Sequence, residues 1–317
     1  MKTNWSKVLI MLAISGFYAD VAIAATIKDD GTTVDASHKS DNQSDYHPTG
    51  RGWGELDTSH RPAGLLRSQR GNLTYQGGPV MAGPKNVYYI WYGTWDIASK
   101  NVLTNLGTTI GGSPYFNINS TYYDKTGAHV QNSVTYAGTA TDNSSLGTSL
   151  SDANIQTIVT NQINSGALPL DPNGIYFVLT DKNTKETSGF CTKYCGWHTH
   201  AMINNTDIKY AFIGDGETQC AYGCGVNTPS PNNTPGADAM ASIIAHELEE
   251  ATTDPDLNAW YALSNGYENG DKCAWNFGAT RTASNGSSYN QTFGALNYLI
   301  QQNWSLLPIQ GCMQHYP

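Results

Sequence analysis

The chain has 317 residues with 26 acidic against 17 basic side chains, a formal net charge of −9. That balance argues against nucleic acid as a partner, because phosphate binding needs a basic field. Six cysteines, an even number, point to disulfides and an oxidising compartment.

Residues 1–24 carry Lys2 and Lys7, an apolar run that extends through Phe17, and the small-residue box Ala22-Ile23-Ala24. This is the pattern of a secretory signal and predicts an exported protein. Its removal takes away Lys2, Lys7 and Asp20, which moves the net charge from −9 to −10. No later stretch approaches the roughly 20 apolar residues of a membrane span. Residues 25–72 are polar and poor in large apolar side chains, which predicts a largely disordered lead-in or a pro-segment that covers the site. His38, His47 and His60 fall within it and read as solvated.

Globular composition begins near residue 73. The β-branched and aromatic run 87–93 predicts a strand, 96–110 a helix, 130–136 a strand, and 155–163 a helix entered through Ser151-Asp152-Ala153-Asn154. Residues 175–180 and 208–213 read as buried strands. This alternation predicts one α/β (α+β) domain over residues 73–317, built on a mixed sheet.

The stretch 236–254 predicts the helix that the sheet receives. At 100° per residue Met240, Ile244, Leu248 and Ala251 form an apolar stripe. With Met240 at zero, His246 lies at about 240°, Glu250 at about 280° and Glu247 at about 340°, whereas Glu249 at about 180° should face water. Glu247 thus points at the dry side, where an ionised carboxylate costs several kcal/mol unless a cation compensates it. His246 and Glu250 are an i, i+4 pair able to hold one metal ion. In the zinc-protease motif H-E-x-x-H the second position carries the general base; here the motif is H-E-x-x-E. One divalent metal is therefore expected, zinc first, with calcium or manganese admitted by the carboxylate ligands. The third ligand comes from Asp254, Asp256, Glu268 or Asp271. His198 and His200, two apart on a strand, share a face and either reach the helix ligands or pack as loop histidines beside Trp197.

The short cysteine spacings favour the pairs 191–195, 220–224 and 273–312, that is Cys191, Cys195, Cys220, Cys224, Cys273 and Cys312. A Cys-x3-Cys segment followed by His198 and His200 is also a zinc-ligand pattern, but an oxidising compartment favours disulfides.

Gly77-Gly78-Pro79-Val80, residues 86–95, Leu150-Ser151-Asp152, residues 175–180, residues 189–198 and Thr218-Gln219-Cys220 together resemble the phosphate-induced, EXORDIUM-like family. The resemblance covers residues 73–317. It implies an extracellular, often wall-associated protein with a signal peptide, and its plant members are linked to growth. The central helix departs from the plant pattern, which lacks the His-Glu pair. Residues 246–255, followed by Trp260, Tyr261, Glu268, Asp271, Cys273 and Trp275, are similar to microbial relatives and, more distantly, to zincin metallopeptidases. That likeness implies a mixed sheet with the helix beneath it, His246 as first ligand, Glu247 as base, Glu250 in place of the second histidine, and Glu268 as third ligand.

Two functions follow. One is a secreted metal-dependent hydrolase, a zincin-like peptidase acting on a peptide or wall-associated substrate. The other is a non-catalytic extracellular binding module with a structural ion, whose 19 Tyr and 8 Trp would build the core and offer stacking surfaces to sugars.

Overall fold

The structure, a computed structural model, describes residues 72–225 and 229–317. The signal segment, the lead-in and its histidines lie outside the described residues. A five-stranded sheet forms the centre of the domain. Its strands are β1 (Lys85–Tyr92), β2 (Val134–Asp142), β3 (Gly174–Thr180), β4 (Gly196–Ile203) and β5 (Thr206–Gly214). The spatial order is β2-β1-β3-β5-β4, with the first four mutually parallel and β4 antiparallel to β5.

Parallel strands need long crossovers, and two helices supply them: α1 (Ile97–Thr109) and α2 (Asp152–Asn164). The β1-to-β2 and β2-to-β3 connections run in opposite directions across the sheet, so right-handed crossovers put α1 and α2 on opposite faces. Both faces are then covered, which is why every residue of β3 is buried and its sequence is an unbroken apolar run. Both helices begin where local chemistry predicts. Asp96 accepts a hydrogen bond from the Ser99 amide, and Ser151 caps the Asn154 amide in a reciprocal box. The strand expected at 130–136 instead occupies 134–142, because Val130 and Gln131 bond back to Tyr122 and Ala82 before the chain joins the sheet.

After β5 the chain enters α3 (Pro235–Thr253), with Pro235 at the first turn where its missing N–H costs nothing. This helix packs on β4, β5 and α1, and its reverse side is covered by the 3-10 turn Phe116–Thr121 and by Leu296–Tyr298. All residues from Gly236 to Thr253 are buried. Glu249, expected in water, is therefore enclosed near Tyr115 and Tyr122. Burial pushes its carboxyl well above the usual range and so favours the neutral acid. A helical wheel locates the primary apolar stripe but carries no information about a second layer that covers the opposite arc.

The cysteines pair differently from the short-spacing expectation. Cys191 bonds Cys220 and Cys195 bonds Cys224, each spanning 29 residues, while Cys273–Cys312 is as expected. The two Cys-x3-Cys segments lie side by side with Cα–Cα distances of 5.4 Å across each bridge, so the bonds run between segments. No cysteine among the described residues is free, which leaves no thiolate for zinc.

Candidate metal centre

α3 presents His246 and Glu250 one turn apart, and the chain following it folds back through a turn that carries Glu268 and Asp271. Asp254 ends the helix: its Oδ1 accepts the Asn258 and Ala259 amides and starts the return. Burial pushes that carboxyl up to about 8. Gly270 lets the returning chain touch the helix. A Cβ there would meet the His246 ring at 2.9 Å and Glu250 Oε1 at 3.0 Å.

Two clusters of potential ligand atoms result, and Glu250 belongs to both. In the first, His246 Nε2 lies 3.0 Å from Glu250 Oε1 and 3.6 Å from Asp271 Oδ1. In the second, His198 Nε2 on β4 lies 3.7 Å from Glu250 Oε2 and 3.3 Å from Glu268 Oε1. Glu268 thus faces His198, and Asp271 takes the place beside His246. None of these five residues is more than 2% exposed.

Glu250 and Asp271 share one design, while Glu268 Oε2 lies in hydrogen-bond contact with His198 Nε2 at 3.4 Å. Glu250 Oε1 accepts the Asp271 amide and Asp271 Oδ2 accepts the Glu268 amide. The second oxygens, Glu250 Oε2 and Asp271 Oδ1, have no hydrogen-bond partner, and neither have Glu268 Oε1 and His246 Nε2. Unsatisfied buried acceptors that converge on imidazole nitrogens are what a cation site requires. The spacings agree, since ligand atoms about 2.1 Å from a tetrahedral ion are about 3.4 Å apart. Two imidazoles with carboxylates suit zinc or manganese better than calcium, which prefers an all-oxygen shell.

Electrostatics separate the two histidines. Burial alone disfavours the His246 imidazolium, but the Glu250, Asp271 and Glu247 carboxylates outweigh it and hold its pKa well above the ordinary value. At His198 burial dominates and pushes the imidazole down to about 4, so the ring is neutral at physiological pH. Glu268 is pushed well up by burial and by the negative charges of Glu250, Asp254, Asp271 and Glu247.

Glu247 lies on the β4 side of α3. A Cβ on Gly196 would come within 3.2 Å of Glu247 Oε1 and 2.6 Å of Ile243, so glycine there admits the carboxylate against the strand. Asp256 and His200 lie elsewhere, in a half-buried cluster in which Lys209 Nζ is 2.9 Å from Asp256 and His200 Nδ1 is 2.8 Å from Asp207. A lysine ammonium already supplies the positive charge of that group.

Gln301 was not legible in the sequence. Its Nε2 lies 2.8 Å from His246 Nδ1 and donates to Gly270 O at 3.1 Å. With the amide nitrogen on this side Nδ1 would have to accept, whereas the raised pKa of His246 favours a ring protonated on both nitrogens, whose Nδ1–H calls for an acceptor. For Nε2 to ligate a metal, Nδ1–H has to donate, which requires the amide to turn its oxygen to the ring. No periodic pattern links Gln301 to a helix 55 residues earlier.

A model of the phosphate-induced protein 1 conserved region matches residues 73–307. The chain belongs to that family. Among its relatives, EXORDIUM-like 5 of Arabidopsis thaliana is 33% identical over 218 residues, 60% of each chain, and EXORDIUM-like 3 of the same plant is 30% identical over 271 residues, 74% of this chain and 80% of its own. PHOSPHATE-INDUCED 1 of Nicotiana tabacum is 27% identical over 218 residues, 60% of this chain and 67% of its own. The chain therefore spans about three fifths of the length of the first of these relatives. No solved structure matches it. Its disulfides are compatible with an extracellular family member, and no helix among the described residues is long and apolar enough to cross a membrane.

Proposed function

We propose that this family member is a metal-dependent hydrolase of the extracellular space, with peptides as its first substrate class. The observation that carries the reading is the convergence of His246, Glu250, Glu268, Asp271 and His198, with buried ligand atoms left unsatisfied, on the helix that also bears Glu247. The mixed sheet followed by an H-E-x-x helix supports it, being the order that zincin metallopeptidases have.

A divalent cation bound there would acidify a water molecule and polarise a carbonyl group. His246 and Glu250 would hold it from α3, and Glu268 or Asp271 from the returning turn. Gly270 keeps that turn close, while Gln301 orients His246. Glu247, next in sequence to the first ligand and directed to the β4 side, would take the proton from the attacking water and pass it to the leaving group. The test is metal analysis of the purified protein with peptidase assays before and after chelation. Glu247→Gln should retain metal and lose turnover. Full turnover in that variant, or protein free of metal after growth with zinc and manganese, would overturn the reading.

The deep burial of all five ligands favours a second reading, a non-catalytic module with a structural ion. Its binding surface would be the cleft of about 500 Å3 lined by Tyr75, Tyr123, His129 and Trp260. A retained ion with no turnover on a broad peptide panel selects this alternative.

A further inference from the structure

The proposed centre has more ligand atoms than one ion can use, and they divide by direction. We infer that it holds two divalent cations bridged by the Glu250 carboxylate, one with His246 and Asp271 and the other with His198 and Glu268. This rests on the reading of the site as a metal centre and specifies its nuclearity.

Three observations carry it. First, the two clusters are distinct and share one residue through different atoms: Glu250 turns Oε1 toward His246 and Oε2 toward His198. A carboxylate used in this way spans two positions. Second, each cluster is complete, with one imidazole nitrogen, one oxygen of Glu250 and one further carboxylate oxygen, all within 4.8 Å of one another. Each contains buried oxygens without a hydrogen-bond partner: Asp271 Oδ1 in the first, and Glu250 Oε2 with Glu268 Oε1 in the second. Third, three ligand carboxylates face two imidazoles. That set offers one carboxylate more than a single divalent ion balances, and a second ion makes use of it.

The sources of the ligands differ in a way that makes the two positions separable. His246 comes from α3, whereas His198 comes from the edge strand β4, and Glu268 and Asp271 are three residues apart in the returning turn. Removing either histidine should disable one position and leave the other in place.

The experiment titrates the metal-stripped full chain with Zn2+ alone and with Mn2+ alone, reading bound metal by mass spectrometry and heat by calorimetry. About two ions per chain are expected for the wild type, and about one for His198→Ala and for His246→Ala. Electron paramagnetic resonance of the Mn2+-loaded wild type provides a measurement that needs no variant: an exchange-coupled spectrum is expected in place of the six lines of isolated Mn2+. One ion per chain in the wild type, isolated-ion spectra at saturation, or a wild-type stoichiometry retained in His198→Ala would each overturn the two-ion inference. A single ion leaves the hydrolase reading standing. No bound ion at all removes both. Absence of turnover with two bound ions removes only the hydrolase reading.

Discussion

His246 Nε2 lies 3.0 Å from Glu250 Oε1, yet the contact is not an aligned hydrogen bond, and the nitrogen remains without one. Two side chains on successive turns of a helix come together by geometry alone. Each is also held from outside the pair by the next layer. The Asp271 amide takes Glu250 Oε1, while Gln301 contacts the opposite edge of the imidazole.

That layer depends on Gly270. Placing a methyl group at this position, 2.9 Å from the His246 ring and 3.0 Å from Glu250 Oε1, forces the returning turn away from α3. Gly270→Ala should therefore cost about 1–3 kcal/mol in stability and weaken metal binding. Denaturant unfolding, with metal titration of the same variant, measures both; unchanged values in the two assays would contradict the packing argument.

Gln301 offers a cleaner test of orientation. Gln301→Leu should lower metal affinity about 10- to 100-fold, the usual effect of removing a group that orients a ligating histidine. Gln301→Glu should restore or exceed the wild-type affinity, because a carboxylate accepts from Nδ1–H without any amide flip. If both variants bind metal like the wild type, His246 does not ligate through Nε2.

The disulfide pairing is open to direct mapping. Proteolysis without reduction should release cross-linked peptides containing Cys191 with Cys220 and Cys195 with Cys224. Replacing both Cys195 and Cys224 by alanine should cost about 2–3 kcal/mol, less than an isolated 29-residue loop would give, because Cys191–Cys220 already closes nearly the same loop. Peptides joining Cys191 to Cys195 would refute the side-by-side arrangement of the two segments.

Asp215 predicts a pH dependence separate from the candidate metal centre. It lies beside Gly236 at the start of α3 and accepts the Glu217 amide, and burial raises its carboxyl from 3.8 to about 6. The folded protein then binds more protons than the unfolded chain between about pH 4 and pH 6, so this group makes stability fall as pH rises through that window. Asp215→Asn keeps the acceptor and removes the titration. Relative to the wild type it should gain stability progressively from pH 4 to pH 6 and level off at about 2–3 kcal/mol. Unfolding curves at pH 4, 5, 6 and 7 check this, and a difference that does not change with pH would disprove it.

The sequence by itself determined the local elements and the identity of the central helix. Apolar and aromatic runs marked β1 and β3, Asp96 and Ser151 marked helix starts, and the i, i+4 placement of His246 and Glu250 followed from helix periodicity. These are short-range properties, set by backbone geometry and side-chain size within a few residues. Tertiary structure alone decided how those elements meet. The burial of Glu249, the cross-pairing of the cysteines, the separation of His200 and Asp256 from His198, and the placement of Glu268 opposite one histidine and Asp271 opposite the other all arise where distant segments come into contact. Periodicity records which face of a segment is buried, but the partner on that face is set by how layers stack and where the chain turns back.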